Sequence, residues 1–294
     1  MHDPCGFEFS ESLSVLVRLA LEEDAVDRDV TALSIVPETA RGRGVVLAKQ
    51  EGVVAGLPLL RPESPLMRAF PSVAARSHVP EGSRVAPGTS IAECRGSARE
   101  LLGLERTLLN FLQRLSGIAT ATAACVAAAG PRTRVQETRK TCPGWRELDK
   151  YAVRVGGGLN HRRDLSAQIL VKENHLIFAG VERSPEAVRA VIRDLRAKRP
   201  GMLVEVEAET LEQVDAAFDA GADVVLLDDM TSDQHAEAVR RRNARCIPVL
   251  LEVSGGVTPA RLPEIAATGV DRVSIGALTH SVKALDLSMD LRPE

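Results

Sequence analysis

From Gly201 onward the chain keeps one rhythm. Apolar runs recur at LVEVEA (203–208), ADVVLLDD (222–229), IPVLLEVSGG (247–256) and DRVSIGA (271–277), each separated from the next by a helix-like segment. Alternation of strand and helix specifies a parallel sheet with helices crossing over it. The intervals carry helix-start signals: Thr210 with Gln213 as a capping box, and proline at the first helical position in Ser184-Pro185 and Thr258-Pro259. Gly221 and Gly269 stand where helices end. RVQET (134–138) and QILVK (168–172) extend the series backwards, so a parallel αβ barrel begins near residue 115.

The preceding part reads differently. Its first ~110 residues hold strand candidates RGVVLAK (43–49) and EGVVAG (51–56) among turns such as PEGSRVAPGTS, the marks of a smaller mixed α/β domain. In ELLGLERTLLNFLQRLSGIATATAACVAA, the spacing of Leu101, Leu104, Leu108, Leu112 and Leu115 predicts helices bridging the two parts. A chain of 294 residues with 45% hydrophobic side chains can bury such cores. A net charge of −3 excludes a general nucleic-acid or anionic-membrane surface. The five cysteines (Cys5, Cys94, Cys125, Cys142, Cys246) are scattered and never spaced C-x-x-C, which argues for a reducing cytosol and against a zinc cage. The N-terminus lacks the pattern of a signal peptide. The apolar stretch Gly117 to Gly130 is broken by threonines and too short to span a bilayer, so no membrane role is expected.

Residues 137–175 hold eight Lys/Arg against five Asp/Glu in a chain that is net acidic. Arg139 and Lys140 follow the strand RVQET, His161 and Arg162 follow a triple-glycine turn, and Lys172 ends QILVK. Ligands of αβ barrels sit at the carboxyl ends of the strands. A solvated rim explains any one of these residues alone. Four cations at strand ends point instead to a pocket for a small polyanion, since arginine offers carboxylate or phosphate two parallel hydrogen bonds. His161, between Asn160 and Arg162, is a functional candidate; His2, His78 and His235 read as structural or surface histidines, and His175 and His280 stay open.

Strand parity adds the acids. In LVEVEA, Val204 and Val206 share the outward face, while Leu203, Glu205 and Glu207 point into the lumen. Buried carboxylates need partners. A Glu205–Lys172 pair is the structural expectation; Glu207 and Asp228, nearer the carboxyl ends, suit a ligand or hydrated Mg²⁺. The structural role open to Asp228 is a helix cap, but Ser232 already offers that. The last two strands end in Ser254-Gly255-Gly256 and Ser274-Ile275-Gly276, a phosphate cradle in the place where barrels bind phosphate.

Together, ERTLLNFLQRLSGIAT, ETRKTCPGWRELDKYAV, GGGLNHR, ILVKENH, VEVEAETLEQ, ADVVLLD, EVSGGV and TGVDRVSIGALTHS resemble the quinolinate phosphoribosyltransferase family, also called carboxylating nicotinate-nucleotide pyrophosphorylases. The resemblance implies an N-terminal α/β sandwich domain over residues 1–114 and an incomplete, open αβ barrel over 115–294, with the C-terminal tail packed back on the first domain. It implies phosphoribosyl transfer from phosphoribosyl pyrophosphate to quinolinate with decarboxylation, giving nicotinate mononucleotide. It further implies a cytoplasmic homodimer in which Arg106 reaches the partner's site. Arg139, Lys140, His161, Arg162 and Lys172 would surround the quinolinate carboxylates. Glu207 and Asp228 would stand near ribose and Mg²⁺, and Ser254, Gly255, Gly256, Ser274 and Gly276 would bind phosphate. Lys140, Glu207 and Asp228 are the catalytic candidates.

Two departures stand out: Asp229 replaces the family's usual asparagine, and Ala167-Gln168 replaces a stretch that commonly carries aspartate. A related group linked to molybdenum transport shares the pattern, but GGGLNHR and KENH match the biosynthetic enzymes. The rival readings are a barrel lyase with Lys172 as Schiff-base nucleophile and a non-catalytic sensor of phosphoribosyl ligands.

Overall fold

The computed structural model describes residues 6–182 and 184–294; His2 and Cys5 lie outside them. The chain forms two compact units that interleave in sequence. The first comprises residues up to 123, 141–157 and 277–294, and the second residues 124–140 and 158–276. Strands β1 (Arg41–Ala48), β2 (Gly52–Val53), β3 (Ala74–Ser77), β4 (Arg84–Val85) and β5 (Ser90–Ser97) belong to the first unit. The second holds β6 (Arg134–Gln136), β7 (Ile169–Val171), β8 (Val204–Ala208), β9 (Val224–Asp228), β10 (Leu250–Ser254) and β11 (Arg272–Ser274). The final strand, β12 (Leu287–Pro293), returns to the first unit.

In the first unit β12, β1, β5 and β3 form an antiparallel sheet in that order, and β2 pairs with β4. The tail joins through seven register pairs from Gly42↔Pro293 to Ala48↔Leu287. The leucine series falls on a single helix, Ala98–Ala129. Leu101, Leu104, Leu108, Leu112 and Leu115 are at most 1% exposed and share a core with Val46, Ala48 and Ile91. Each buried leucine contributes roughly 1.5–3 kcal/mol.

Gly117 to Gly130 is therefore not a short stretch of its own, as the sequence suggested. Its first 13 residues close a helix of 32 residues that is long and apolar enough, by length and composition alone, to cross a membrane. Half of the most apolar window is buried inside the protein, so core packing accounts for its apolarity.

Residues 141–157 join the first unit through a specific contact. Arg114 grips the fully buried Asp149 with Nε at 3.0 Å and Nη2 at 2.8 Å, while Phe111 stacks on Trp145 at 4.8 Å. Burial raises the Asp149 pKa and Arg114 opposes that rise.

In the second unit all strands run parallel in the order β6-β11-β10-β9-β8-β7, open between β6 and β7, as in an incomplete αβ barrel. Most helix signals act where expected. Ser184 caps the helix Pro185–Lys198 and Gly221 ends Leu211–Ala220 with φ 76. Thr210 accepts from Gln213 N, but the Gln213 side chain reaches Glu209 N, one residue outside the box. Thr258 precedes only a 3₁₀ turn and makes no side-chain cap. Cys94, Cys125, Cys142 and Cys246 are free thiols.

Gly117 sits mid-helix, where alanine ordinarily stabilises by about 1 kcal/mol. Here a Cβ would lie 2.3 Å from the Lys283 carbonyl oxygen. Gly117→Ala should therefore lower the unfolding free energy measured by denaturant titration, and a gain in stability would show that this backbone approach is not tight.

Candidate active site

Parallel register fixes which side chains meet. Glu205 stands opposite Leu170 and Val224, while Glu207 pairs with Leu226, and Leu226 with Glu252. Two residues further along the same faces, Asp228 pairs with Ser254, and Ser274 with Gln136. Val204 and Val206 are buried on the opposite face, as parity requires, whereas Leu203 precedes the strand and is half exposed.

The lumen floor is a buried polar network. Glu252 accepts from Gln136 Nε2 at 2.5 Å and from Ser274 Oγ, and Gln136 also donates to Ser274 Oγ at 3.1 Å. His161 brings Nε2 to 3.3 Å from Glu205 and 3.4 Å from Glu252, both fully buried. Its position is set by Glu137 at the end of β6, which accepts from His161 N at 3.1 Å and from Asn160 Nδ2 at 2.9 Å. Burial works against charge on His161, but hydrogen bonds to Glu205 and Glu252 outweigh it and push its pKa up to about 9. Burial also raises the Glu205 carboxyl pKa. Nδ1 accepts from the Arg162 backbone N–H at 2.7 Å, which orients the ring with Nε2 toward the two glutamates.

Above the floor lies a cavity of about 200 Å³. Arg139, Lys140, Arg162, Lys172, Ser254 and Leu226 line it, with His161, Glu252 and Ser274 at its base. The Nε–H of Arg139 is buried and has no hydrogen-bond partner among the described residues. Burial, then repulsion from Arg139, lowers the Arg162 pKa. Two guanidinium groups thus share a partly buried wall, an arrangement that an anion relieves.

Lys172 does not take Glu205 as its partner. With Val171 opposite Val206, the register carries Lys172 to Glu207, Nζ to Oε2 at 2.6 Å, and Glu205 instead accepts from Gln168 Nε2. Glu207, Glu209 and Asp228 form an acidic trio with oxygens within 4.8 Å of one another. Burial, then repulsion from Glu207 and Asp229, raises the Asp228 pKa. Ser232 is not the cap of its helix; Thr231 is, in a full capping box with Gln234, and Ser232 Oγ bonds to Glu264.

Asp229 has φ 51, in the left-handed region where Asp and Asn are the side chains best tolerated, which accounts for either residue standing there. Gly255 has φ 86, a conformation that L side chains rarely adopt, so the turn after β10 needs glycine. Gly256 is exposed and Gly276 half-buried, each just beyond its strand end. The Ser274 hydroxyl is committed to Glu252, which leaves only the backbone of this segment for a phosphate. Arg106 lies in the first unit, exposed on the helix Ala98–Ala129.

Comparison with known proteins settles the family. The quinolinate phosphoribosyl transferase C-terminal domain matches residues 118–290, and the N-terminal domain of that enzyme matches 29–116. The chain belongs to the quinolinate phosphoribosyl transferase family. It is 40% identical to the carboxylating nicotinate-nucleotide pyrophosphorylase of Mycobacterium leprae, over 99% of this chain and 100% of that one. It is 37% identical to the enzyme of the same name from Rattus norvegicus, over 99% and 96% of the two chains. The crystal structure of NadC from Streptococcus pyogenes superposes with a TM-score of 0.89 at 36% identity, covering 98% and 100%.

Glu252 and Gln136 were missed in the sequence although the same two-residue period marks them, as Leu250-Glu252-Ser254 and Arg134-Gln136-Thr138. The third acid, Glu209, lies just past the end of β8, where parity no longer speaks.

Proposed function

We infer that this chain transfers the phosphoribosyl group of phosphoribosyl pyrophosphate to quinolinate with loss of CO₂, giving nicotinate mononucleotide and pyrophosphate for NAD biosynthesis. The observation that carries this reading is the buried Arg139 Nε–H, which has no acceptor among the described residues, in a cavity whose walls also bear Lys140, Arg162 and Lys172. A planar ring with adjacent carboxylates supplies the missing acceptors. At an effective dielectric of about 20, unit charges about 4 Å apart attract by roughly 4 kcal/mol before desolvation. Nicotinate, with one carboxylate, would leave a cation unpaired, at a cost of roughly 2–5 kcal/mol.

In the reaction the ring nitrogen bonds to C1 of the sugar as the C1–O bond to pyrophosphate breaks. The bond from ring carbon 2 to its carboxylate then breaks, CO₂ leaves, and the electron pair stays on the ring carbon until it takes up a proton. Arg139, Arg162 and Lys172 hold the carboxylates above the floor made by His161. Lys140 serves the departing carboxylate or the leaving pyrophosphate. Glu207 or Asp228 faces the ribose, where negative charge favours the cation developing at C1. Backbone N–H groups around Ser254, Gly255, Gly256, Ser274 and Gly276 take the phosphate.

Mg²⁺ fits the trio of Glu207, Glu209 and Asp228, whose mutual repulsion a divalent cation relieves. Bound there, it would screen the charge of the pyrophosphate. The same reading makes the protein a cytosolic homodimer whose exposed Arg106 enters the partner subunit's cavity. The Schiff-base alternative is disfavoured because Lys172 Nζ is engaged by Glu207 instead of being open to a carbonyl.

Incubation with quinolinate, phosphoribosyl pyrophosphate and Mg²⁺ should yield nicotinate mononucleotide by chromatography. Arg139→Ala and Arg162→Ala should each lower kcat/KM by about a hundredfold or more with little change in Tm; normal turnover by either variant would remove that residue from the substrate site. Arg106→Ala and Lys172→Ala homodimers should both be nearly inactive, yet regain partial activity when mixed and re-annealed. Hybrids that form and stay inactive would contradict a shared site.

A further inference from the structure

Arg162 is held from two sides, and both routes lead to Glu205. Its backbone N–H meets His161 Nδ1 at 2.7 Å, and His161 Nε2 stands 3.3 Å from Glu205. Its guanidinium Nη1 donates to the Gln168 carbonyl oxygen at 3.1 Å, and the Gln168 side-chain Nε2 donates to Glu205 Oε2. His161, Arg162, Gln168 and Glu205 thus close a ring of contacts beside the cavity. Gln168 immediately precedes β7, and its side chain ties that point to β8. A carbonyl fixed at a strand entry is a rigid acceptor; released, it turns with the loop before it.

We propose that Gln168 is a positioning residue for Arg162, its side-chain amide pinned by Glu205 so that its carbonyl aims the Arg162 guanidinium at the substrate dicarboxylate. This rests on the reading that Arg162 receives a quinolinate carboxylate. Gln168 touches no reacting atom. Its effect is on dicarboxylate recognition, with phosphoribosyl binding and chemistry left alone.

Gln168→Met keeps the shape and removes the amide, and the residue is only half-buried, so the variant should fold. KM for quinolinate should rise about tenfold, the order of effect expected from losing one hydrogen bond. KM for phosphoribosyl pyrophosphate and kcat should stay within about twofold of wild type, and Tm should hold. Titration calorimetry with quinolinate alone should show the same loss of affinity. Gln168→Glu, which sets a carboxylate against Glu205, should bind more weakly still. In an Arg162→Lys background Gln168→Met should have no further effect, because the fork it aims is gone. Unchanged quinolinate affinity in Gln168→Met, or an equal loss in the Arg162→Lys background, would overturn the proposal. Failure of the wild-type protein to bind quinolinate would instead overturn the reading beneath it.

Discussion

The active site depends on one constraint, the two-residue alternation of parallel strands held in fixed register. Once β8 places Val204 and Val206 under the helices, Glu205 and Glu207 must enter the lumen, and register with β9 and β10 brings Leu226 and Glu252 into the row of Glu207. Carboxylates in so enclosed a place are costly unless something compensates them. His161, Gln136, Gln168 and Ser274 do so at the floor, and Lys172 does so higher up. The buried Nε–H of Arg139, which has no partner among the described residues, is then available to a ligand.

This layering sorts charge by depth. Glutamates held by protein partners, Glu205 through one oxygen, form the base, guanidinium and ammonium groups form the wall, and the acidic trio of Glu207, Glu209 and Asp228 stands to one side. The Lys172–Glu207 ion pair lies between wall and trio, so the groups assigned to the pyridine ring and to the ribose touch before either substrate arrives. A site of this kind distinguishes a dianion from a monoanion by what it leaves unpaired, without needing a close steric fit.

Much of this was legible in the sequence. The order of apolar runs gave the parallel sheet, and the cations at the ends of RVQET and QILVK do share one cavity. Parity predicted the lumen-facing glutamates. It did not predict their partners, because pairing depends on stagger between strands: a shift of two residues decides whether Lys172 meets Glu205 or Glu207. The attachment of residues 141–157 to the first unit was equally hidden, since Arg114 and Asp149 are 35 residues apart and no local pattern joins them. Helix caps were read correctly where serine preceded proline, and misread at Ser232, where neighbouring hydroxyls compete and the loop chose Thr231.

A crystal structure of the protein with quinolinate tests the role of these cations directly. The two ring carboxylates should accept hydrogen bonds from Arg139, including its Nε–H, and from Arg162, with His161 still between Glu205 and Glu252 beneath the ring. Quinolinate bound elsewhere, or in this cavity with its carboxylates turned away from both arginines, would contradict a dicarboxylate site built on Arg139 and Arg162.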